Sequence, residues 1–373
     1  MKKKIVLIYN FAQHYRTSIF RLIDDAFDAY FIFGDSMSDV KKMDYALLHG
    51  PVTETHTRRL FRKWYWQPKV VSSLFLKRST YILLGETHAL STWVFLLLSR
   101  FFPKKTVCLW SHGWYGKETI PEIFMKKLFF RLPNGGTFLY GNYARQLMIE
   151  KGLNPNKLYV IHNSLAYDKQ LSLRSSLRKT NVYQDHFGND NYNLLFVGRL
   201  TKIKQLDLAI KALKQCKELG RCYNFTLVGN GVVKEEMERL VEEFSLENQV
   251  WFYGACYDEE ELGKMIYNAD VCVSPGNVGL TAMHSMVFGT PVITHDDFAH
   301  QMPEFEAIHE GITGSFFHLG DVDSLTETIN NWHDTYRFQR ENVRQACYHE
   351  IDSQWTPQFQ ISVIKNVLLA EHE

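Results

Sequence analysis

The stretch Asp270-Val-Cys-Val-Ser-Pro-Gly-Asn-Val-Gly-Leu-Thr-Ala-Met-His-Ser-Met-Val-Phe-Gly-Thr-Pro-Val-Ile-Thr294 alternates between two kinds of local order. Val271 to Val273 is a short apolar run of the sort that a strand buried on both faces needs. Pro275, Gly276 and Gly279 turn the backbone, and a helix is expected to begin between Asn277 and Leu280. Gly289 stops that helix, and Pro291-Val292-Ile293 opens another strand. A helix N-terminus behind a glycine turn presents unpaired N–H groups and a positive dipole end, which suits a phosphate. An ordinary βαβ turn that binds nothing has the same pattern, so this turn does not decide by itself.

Working outward, the same alternation fills the chain. After it, Ser324 to about Trp332 and residues 336–350 read as helices. Before it, strands are expected at Asn193–Val197, Asn224–Val228 and Val250–Tyr253, with helices at about 205–219, 232–246 and 258–268. The first half repeats the scheme with apolar runs at Ile5–Tyr9, Ala29–Phe33, Tyr81–Leu84, Thr106–Trp110, Thr137–Tyr140 and Leu158–Ile161. Helices between them are expected at about 16–28, 89–101, 120–131 and 142–151. Such alternation implies parallel sheets covered by helices on both faces. Residues 166–192 are rich in Ser, Lys, Asn and Asp and read as an interdomain linker. The chain is therefore expected to be α/β, with one domain over 1–165, a linker over 166–192 and a second domain over 193–351.

Composition narrows the function. The 373 residues are enough for two domains with separate cores. The six cysteines are scattered without a Cys-x-x-Cys spacing, which points to a reducing compartment and away from structural zinc. Met1-Lys-Lys-Lys runs straight into a strand-like segment, so no signal peptide is expected, and no apolar run approaches the roughly 20 residues that span a bilayer. A cytoplasmic chain is the expectation. Residues 1–165 hold 24 of the 42 Lys and Arg but 11 of the 41 Asp and Glu, a net of +13, which leaves −12 for the remainder. The basic residues are mixed with aromatics in Arg58-Arg-Leu-Phe-Arg-Lys-Trp-Tyr-Trp66 and Phe124-Met-Lys-Lys-Leu-Phe-Phe-Arg131. This suits peripheral contact with an anionic membrane, on the inner face of the cytoplasmic membrane. A solvated face would look similar. No nucleic-acid recognition motif accompanies the charge.

Ligands of open α/β sheets sit at the carboxyl ends of the strands, and four pieces of the second half meet there. Phe196-Val-Gly-Arg-Leu200 places Gly198 and Arg199 just past a strand, with Lys204 at the following helix start; two cations there suit a diphosphate leaving group. Leu227-Val-Gly-Asn-Gly231 puts Asn230 in a second turn. Trp251-Phe-Tyr-Gly-Ala-Cys-Tyr257 supplies Tyr253, Cys256 and Tyr257 for a flat base. Gly276, Asn277, Val278, Gly279 and Leu280 form the phosphate turn.

This set resembles the nucleotide-sugar glycosyltransferases of the GT-B fold, within them the retaining family-four (group 1) type. The likeness is densest over 193–331. It adds Asp207, Tyr267-x-Ala-Asp270, Met286-x-x-Gly289-Thr-Pro-Val-Ile293, Pro303-Glu304 and Gly311-x-x-Gly314 to the pieces above. It implies two Rossmann-like doubly wound domains facing a central cleft. The first would bind the acceptor and be completed by the C-terminal helix within 352–373. It also implies a UDP- or GDP-linked sugar as substrate, retention of configuration, no metal and no other cofactor. Assembly of a bacterial surface polysaccharide, such as lipopolysaccharide or capsule, is the expected setting.

The family usually carries two glutamates eight positions apart, which fall here on Gly276 and His284. His284 can still offer a hydrogen bond to the ribose. Gly276 has no side chain for the donor sugar, and Glu304 or Glu306 is the substitute carboxylate to look for. In the first half, Ser111-His112-Gly113 follows a strand where many members place a histidine of the cleft, so His112 joins Arg199 and Lys204 as a catalytic candidate. Lys117 and Glu118 follow in the same loop. The usual glycine-rich loop after the first strand is replaced by Tyr9-Asn-Phe-Ala-Gln-His14-Tyr-Arg16, and His14, Tyr15, Arg16, Lys117 and Glu118 are expected at the acceptor. Two rival readings stay open: a nucleotide-sugar 2-epimerase of the same fold, and a non-catalytic subunit that binds a sugar nucleotide or glycan.

Overall fold

The computed structural model describes residues 2–35 and 40–370. The chain forms two compact units: Met1–Ala166 with Thr356–Glu373, and Tyr167–Trp355.

The first unit is built on β1 (Lys4–Tyr9), β2 (Asp28–Gly34), β3 (Val52–Thr55), β4 (Arg58–Phe61), β5 (Trp64–Trp66), β6 (Thr80–Leu84), β7 (Thr106–Ser111), β8 (Gly136–Leu139) and β9 (Leu158–Val160). Seven of them form a parallel sheet in the order β3-β2-β1-β6-β7-β8-β9, while β4 and β5 make a separate antiparallel hairpin. Ile5, Leu7, Phe31, Phe33 and Trp110 fill one face of the sheet, and Val6, Tyr81, Leu83 and Leu109 the other. Burial on both faces explains the unbroken apolar runs, each large side chain contributing about 1.5–3 kcal/mol. The terminal helix Pro357–Leu369 belongs to this unit: Gln360 donates to the His162 carbonyl at 2.7 Å and accepts from the Ser164 hydroxyl at 2.6 Å. Residues 371–373 of the expected terminal segment lie outside the described residues.

In the second unit β10 (Asn193–Val197), β11 (Asn224–Val228), β12 (Val250–Gly254), β13 (Val271–Val273), β14 (Val292–His295) and β15 (Gly314–Phe317) form a parallel sheet in the order β12-β11-β10-β13-β14-β15. The strand order reverses between β10 and β13, as it does between β1 and β6 in the first unit. Loops leaving the two strands on either side of such a reversal diverge and open a crevice. Gly289 ends the helix Leu280–Val287 for two reasons. Its φ of 80° is left-handed, and a Cβ there would stand 2.4 Å from Arg344 Cγ.

Three differences from the sequence reading stand out. Neither β3 nor β15 was among the expected strands, and both are edge strands. The segment Arg58–Trp66 is a hairpin. The stretch 166–192, expected as a linker, is folded from Tyr167 onward with the second unit as the helices Tyr167–Ser176 and Val182–Phe187. Polar bonds hold the first of these, since Tyr167 and Arg174 both reach Asp352.

Candidate functional site

In the second unit the loops after β10 and β11 are pressed together. A Cβ on Gly229 would lie 1.8 Å from the Gly198 carbonyl oxygen, and one on Gly231 would lie 2.2 Å from that of Leu200. The Leu200 N–H donates to the Asn230 carbonyl at 3.0 Å. These glycines set the path of the loop that delivers Arg199, which is exposed, and Lys204.

Lys204 ends the short 3₁₀ turn Lys202–Lys204. Its ammonium donates to Asn277 twice, at 2.6 Å to the backbone oxygen and 3.0 Å to Oδ1. In return the Gly276 N–H donates to the Lys204 carbonyl at 2.9 Å. The turn after β13 is therefore laced to the loop after β10 across the switch point. Burial pushes the Lys204 ammonium down to about 8, and the nearby Glu304 carboxylate works against that shift. Glu304 is itself buried in the turn Pro303–Ala307.

Gly276, where the resemblance would place a glutamate, has no room for a side chain. A Cβ at this position would meet the Ile203 carbonyl oxygen at 2.0 Å and Lys204 Cα at 2.7 Å. Beyond it, the Val278 N–H donates to Gln301 Oε1 at 2.8 Å. Gln301 Nε2 in turn donates to Thr294 Oγ1 and the His295 carbonyl. Gly279, at φ 53°, precedes the helix Leu280–Val287, and the Thr281 hydroxyl ties that helix to the Val197 carbonyl at 2.9 Å. Gly198, Lys204, Gly276, Asn277, Val278, Gly279 and Leu280 are thus gathered at one place, with Glu304 acting on the lysine. Gln301 and Thr294 were not anticipated as site residues, although Thr294 ends the stretch that marks the turn and Gln301 stands just before Pro303-Glu304.

The remaining donor candidates are organised by the start of the helix Glu259–Asn268. His284 Nε2 lies 3.4 Å from Glu259 Oε2. The Tyr253 hydroxyl donates to Glu261, and Cys256 Sγ lies 3.9 Å from the other Glu261 oxygen. The Glu259–Glu260–Glu261 run reads in sequence only as an acidic first helical turn, yet it meets three candidates, His284 through Glu259 and Tyr253 and Cys256 through Glu261. Tyr257 is 94 % exposed, and Asn230 meets the Leu200 N–H through its backbone oxygen and not the phosphate turn.

In the first unit a cavity of about 400 Å³ opens where the loops after β1, β6 and β7 diverge. Tyr15, Arg16 and His112 line it, along with Glu86, Thr87 and Lys126. Burial, followed by the charges of Arg16 and Lys126, pushes the His112 imidazole down to about 4. The ring is therefore neutral near pH 7 and packs 4.6 Å from that of Tyr140. Glu118 does not face an acceptor as expected. Its oxygens accept from the Tyr115 and Gly116 N–H groups at 2.7 and 2.9 Å, and Oε1 also takes Lys126 at 2.6 Å. It therefore holds the loop in shape. Lys117 is exposed with its ammonium 5.6 Å from the Tyr115 ring centre, and His14 is exposed beside the Lys41 carbonyl; neither lines the cavity. Glu86 was missed because it follows a strand without any motif.

With this geometry in place, the chain can be set beside known proteins. Residues 179–348 match the family Glycosyl transferases group 1. The matched segment covers nearly all of the second unit, including every element around Lys204. Among similar chains, an uncharacterized 41.2 kDa protein in the cps region of Klebsiella pneumoniae is 28 % identical over 210 residues, 55 % of this chain and 53 % of that one. The amylovoran biosynthesis glycosyltransferase AmsK of Erwinia amylovora is 27 % identical over 169 residues, 42 % of this chain and 40 % of its own. The chain thus matches about half, or less, of the length of these relatives. The crystal structure of Anabaena Alr3699/HepE in complex with UDP is similar over 98 % of this chain and 99 % of that one, with a TM-score of 0.72 at 15 % identity. Likeness at that identity establishes the fold, GT-B. No helix among the described residues is long and apolar enough to cross a membrane. Among them, no group of three His, Cys, Asp or Glu is placed to hold a metal ion.

Proposed function

We propose that the chain is a glycosyltransferase that moves a sugar from a UDP- or GDP-linked donor to a glycan or lipid-linked acceptor during assembly of a bacterial surface polysaccharide. One observation carries the reading: Lys204 is held by Asn277 at the phosphate turn, beside a helix N-terminus, at the switch point of a group 1 segment. A departing diphosphate gains negative charge as the bond from sugar C1 to its oxygen breaks. An ammonium and oriented N–H groups already in place stabilise that charge without reorganising. Arg199 supplies a second cation on the same loop. The acceptor hydroxyl forms the new bond to C1, and its proton leaves with the diphosphate. In the first unit, the His112 ring, with a pKa near 4, is neutral at pH 7 and offers a hydrogen bond to a sugar hydroxyl. With cations in this role, transfer proceeds without a metal, and the family's retention of configuration is the expected outcome. The names of the Klebsiella and Erwinia relatives support a surface polysaccharide, and the UDP bound to the Anabaena protein supports UDP as the first base to try.

We also propose that the β4–β5 hairpin docks on anionic lipid. Arg58, Arg59, Leu60, Phe61, Arg62 and Lys63 are all exposed, with Leu60 at 55 % and Phe61 at 66 %. Trp64 and Trp66, expected to make this contact, are half-buried. Basic residues around an apolar tip match the charge and depth of a bilayer interface.

The test of the central reading is a thermal-shift screen with UDP and GDP, with magnesium and with chelator, followed by transfer assays from the sugar nucleotides of whichever base binds. Stabilisation by one diphosphate irrespective of magnesium supports it. Silence from both would sink the donor site. Binding without transfer to any lipid-linked acceptor would leave the binding-subunit reading ahead.

A further inference from the structure

The loop after β1 carries a guanidinium into the first unit where no carboxylate meets it. Arg16 is 5 % exposed. It is enclosed by the rings of Tyr140, Tyr9, Tyr15 and Trp110, with its Cζ 5.2, 5.3, 5.6 and 5.7 Å from their centres. Its Nε has no hydrogen-bond partner. Among the described residues, the groups that act most on its charge are tyrosines.

Arginine stays protonated throughout the physiological range. A buried cation with no carboxylate beside it among the described residues is costly to keep, and a hydrogen bond with Tyr140 and four aromatic faces offset only part of that cost. The fold nevertheless holds this one rigidly at the wall of a cavity large enough for a sugar. Two more buried polar atoms on the same wall lack partners, Asn10 Oδ1 and His112 Nδ1. Glu86, whose Oε2 accepts from the Tyr65 hydroxyl at 2.8 Å, adds a carboxylate of the kind that sugar hydroxyls seek. Cation, carboxylate and unpartnered polar atoms together describe a ligand with both a negative charge and hydroxyl groups.

We propose that this cavity binds a sugar bearing an anionic group, a carboxylate or a phosphate, with Arg16 as its counter-ion. The inference rests on the glycosyltransferase reading only in making that sugar the acceptor. A guanidinium presents paired N–H donors that match either anion.

The test uses the full chain with saturating UDP, titrated by calorimetry with methyl α-glucuronide, glucose 1-phosphate and methyl α-glucoside. At least one anionic sugar is expected to bind tenfold or more tightly than the neutral glucoside, and which one does so distinguishes carboxylate from phosphate. Arg16→Gln is expected to abolish that preference while its affinity for UDP matches the parent chain. If Arg16→Gln does not fold, Arg16→Lys is expected to fold and keep the preference for the anion, since it keeps the charge. Equal binding of neutral and anionic sugars, no binding of either anionic sugar, or a preference that survives Arg16→Gln would each overturn the proposal. Failure of UDP itself to bind would count against the donor site and leaves the sugar titrations readable by themselves.

Discussion

Lys204 Nζ lies 2.6 Å from the backbone oxygen of Asn277 and 3.0 Å from its side-chain oxygen, so the cation is pinned to the turn that it would serve. Replacing it by Met removes a charge that burial already disfavours, so the fold should survive with little change in melting temperature. Nucleotide diphosphate affinity and turnover should fall by about 100-fold, the scale of losing one preorganised charge at a transition state. Calorimetry on the variant checks the first and a transfer assay the second. Unchanged rates would remove Lys204 from the mechanism.

The pH dependence of the same residue has a definite sign. Its folded pKa is about 8, below the usual lysine range. The charge is present below pH 8 and is lost above it. Nucleotide diphosphate affinity should therefore decline as pH passes 8 and should not decline in Lys204→Met. Parallel declines in both proteins would place the titrating group elsewhere.

Gly276→Glu would supply the glutamate that the family resemblance implies, yet it should fail. A Cβ at this position would overlap the Ile203 carbonyl oxygen and Lys204 Cα, and both are main-chain atoms. We expect a loss of about 1–3 kcal/mol or more, as for overpacking elsewhere, with lower nucleotide affinity as the 202–204 turn is displaced. A variant as stable as the parent in chemical denaturation would show that the turn yields freely.

His112 should make the fold sensitive to acid. Its folded pKa is about 4 against an ordinary value near 6.5. The unfolded chain therefore takes up the proton first as pH falls. The contribution is fully present above about 6.5 and is lost between there and 4, at up to about 1.4 kcal/mol per pH unit. His112→Gln should flatten the drop in melting temperature over that interval, and an identical slope in the variant would contradict the assignment.

Leu60→Ser with Phe61→Ser should weaken sedimentation with anionic vesicles severalfold, whereas Trp64→Phe should leave it near the parent value. Equal sedimentation of the double variant and the parent would remove the hairpin from membrane contact.

The strands at the centre of both sheets were legible because burial on two faces writes itself as an unbroken apolar run, as in Ile5–Tyr9 and Asn193–Val197. Edge strands escape this rule. Val52–Thr55 reads Val-Thr-Glu-Thr and has one neighbour, β2; β15 likewise pairs only with β14. The helix Tyr167–Ser176 was hidden for another reason. Gln170 is its one buried residue, so it has no apolar stripe and depends on partners distant in sequence. The phosphate turn could be read because its glycines are punctuation. The enclosure of Arg16 could not, because Tyr9, Trp110 and Tyr140 come from three strand ends far apart in the chain.

The hairpin is not a free appendage. Its root Tyr65 bonds Glu86 through the hydroxyl and the His88 carbonyl through the backbone N–H, and both of these residues wall the first-unit cavity. On the proposed docking, a lipid surface that gripped Leu60 and Phe61 would also restrain that wall, through a strut of one tyrosine. Recruitment to the bilayer and readiness to receive a sugar would then be a single event, and the chain away from a membrane would be the looser receptor.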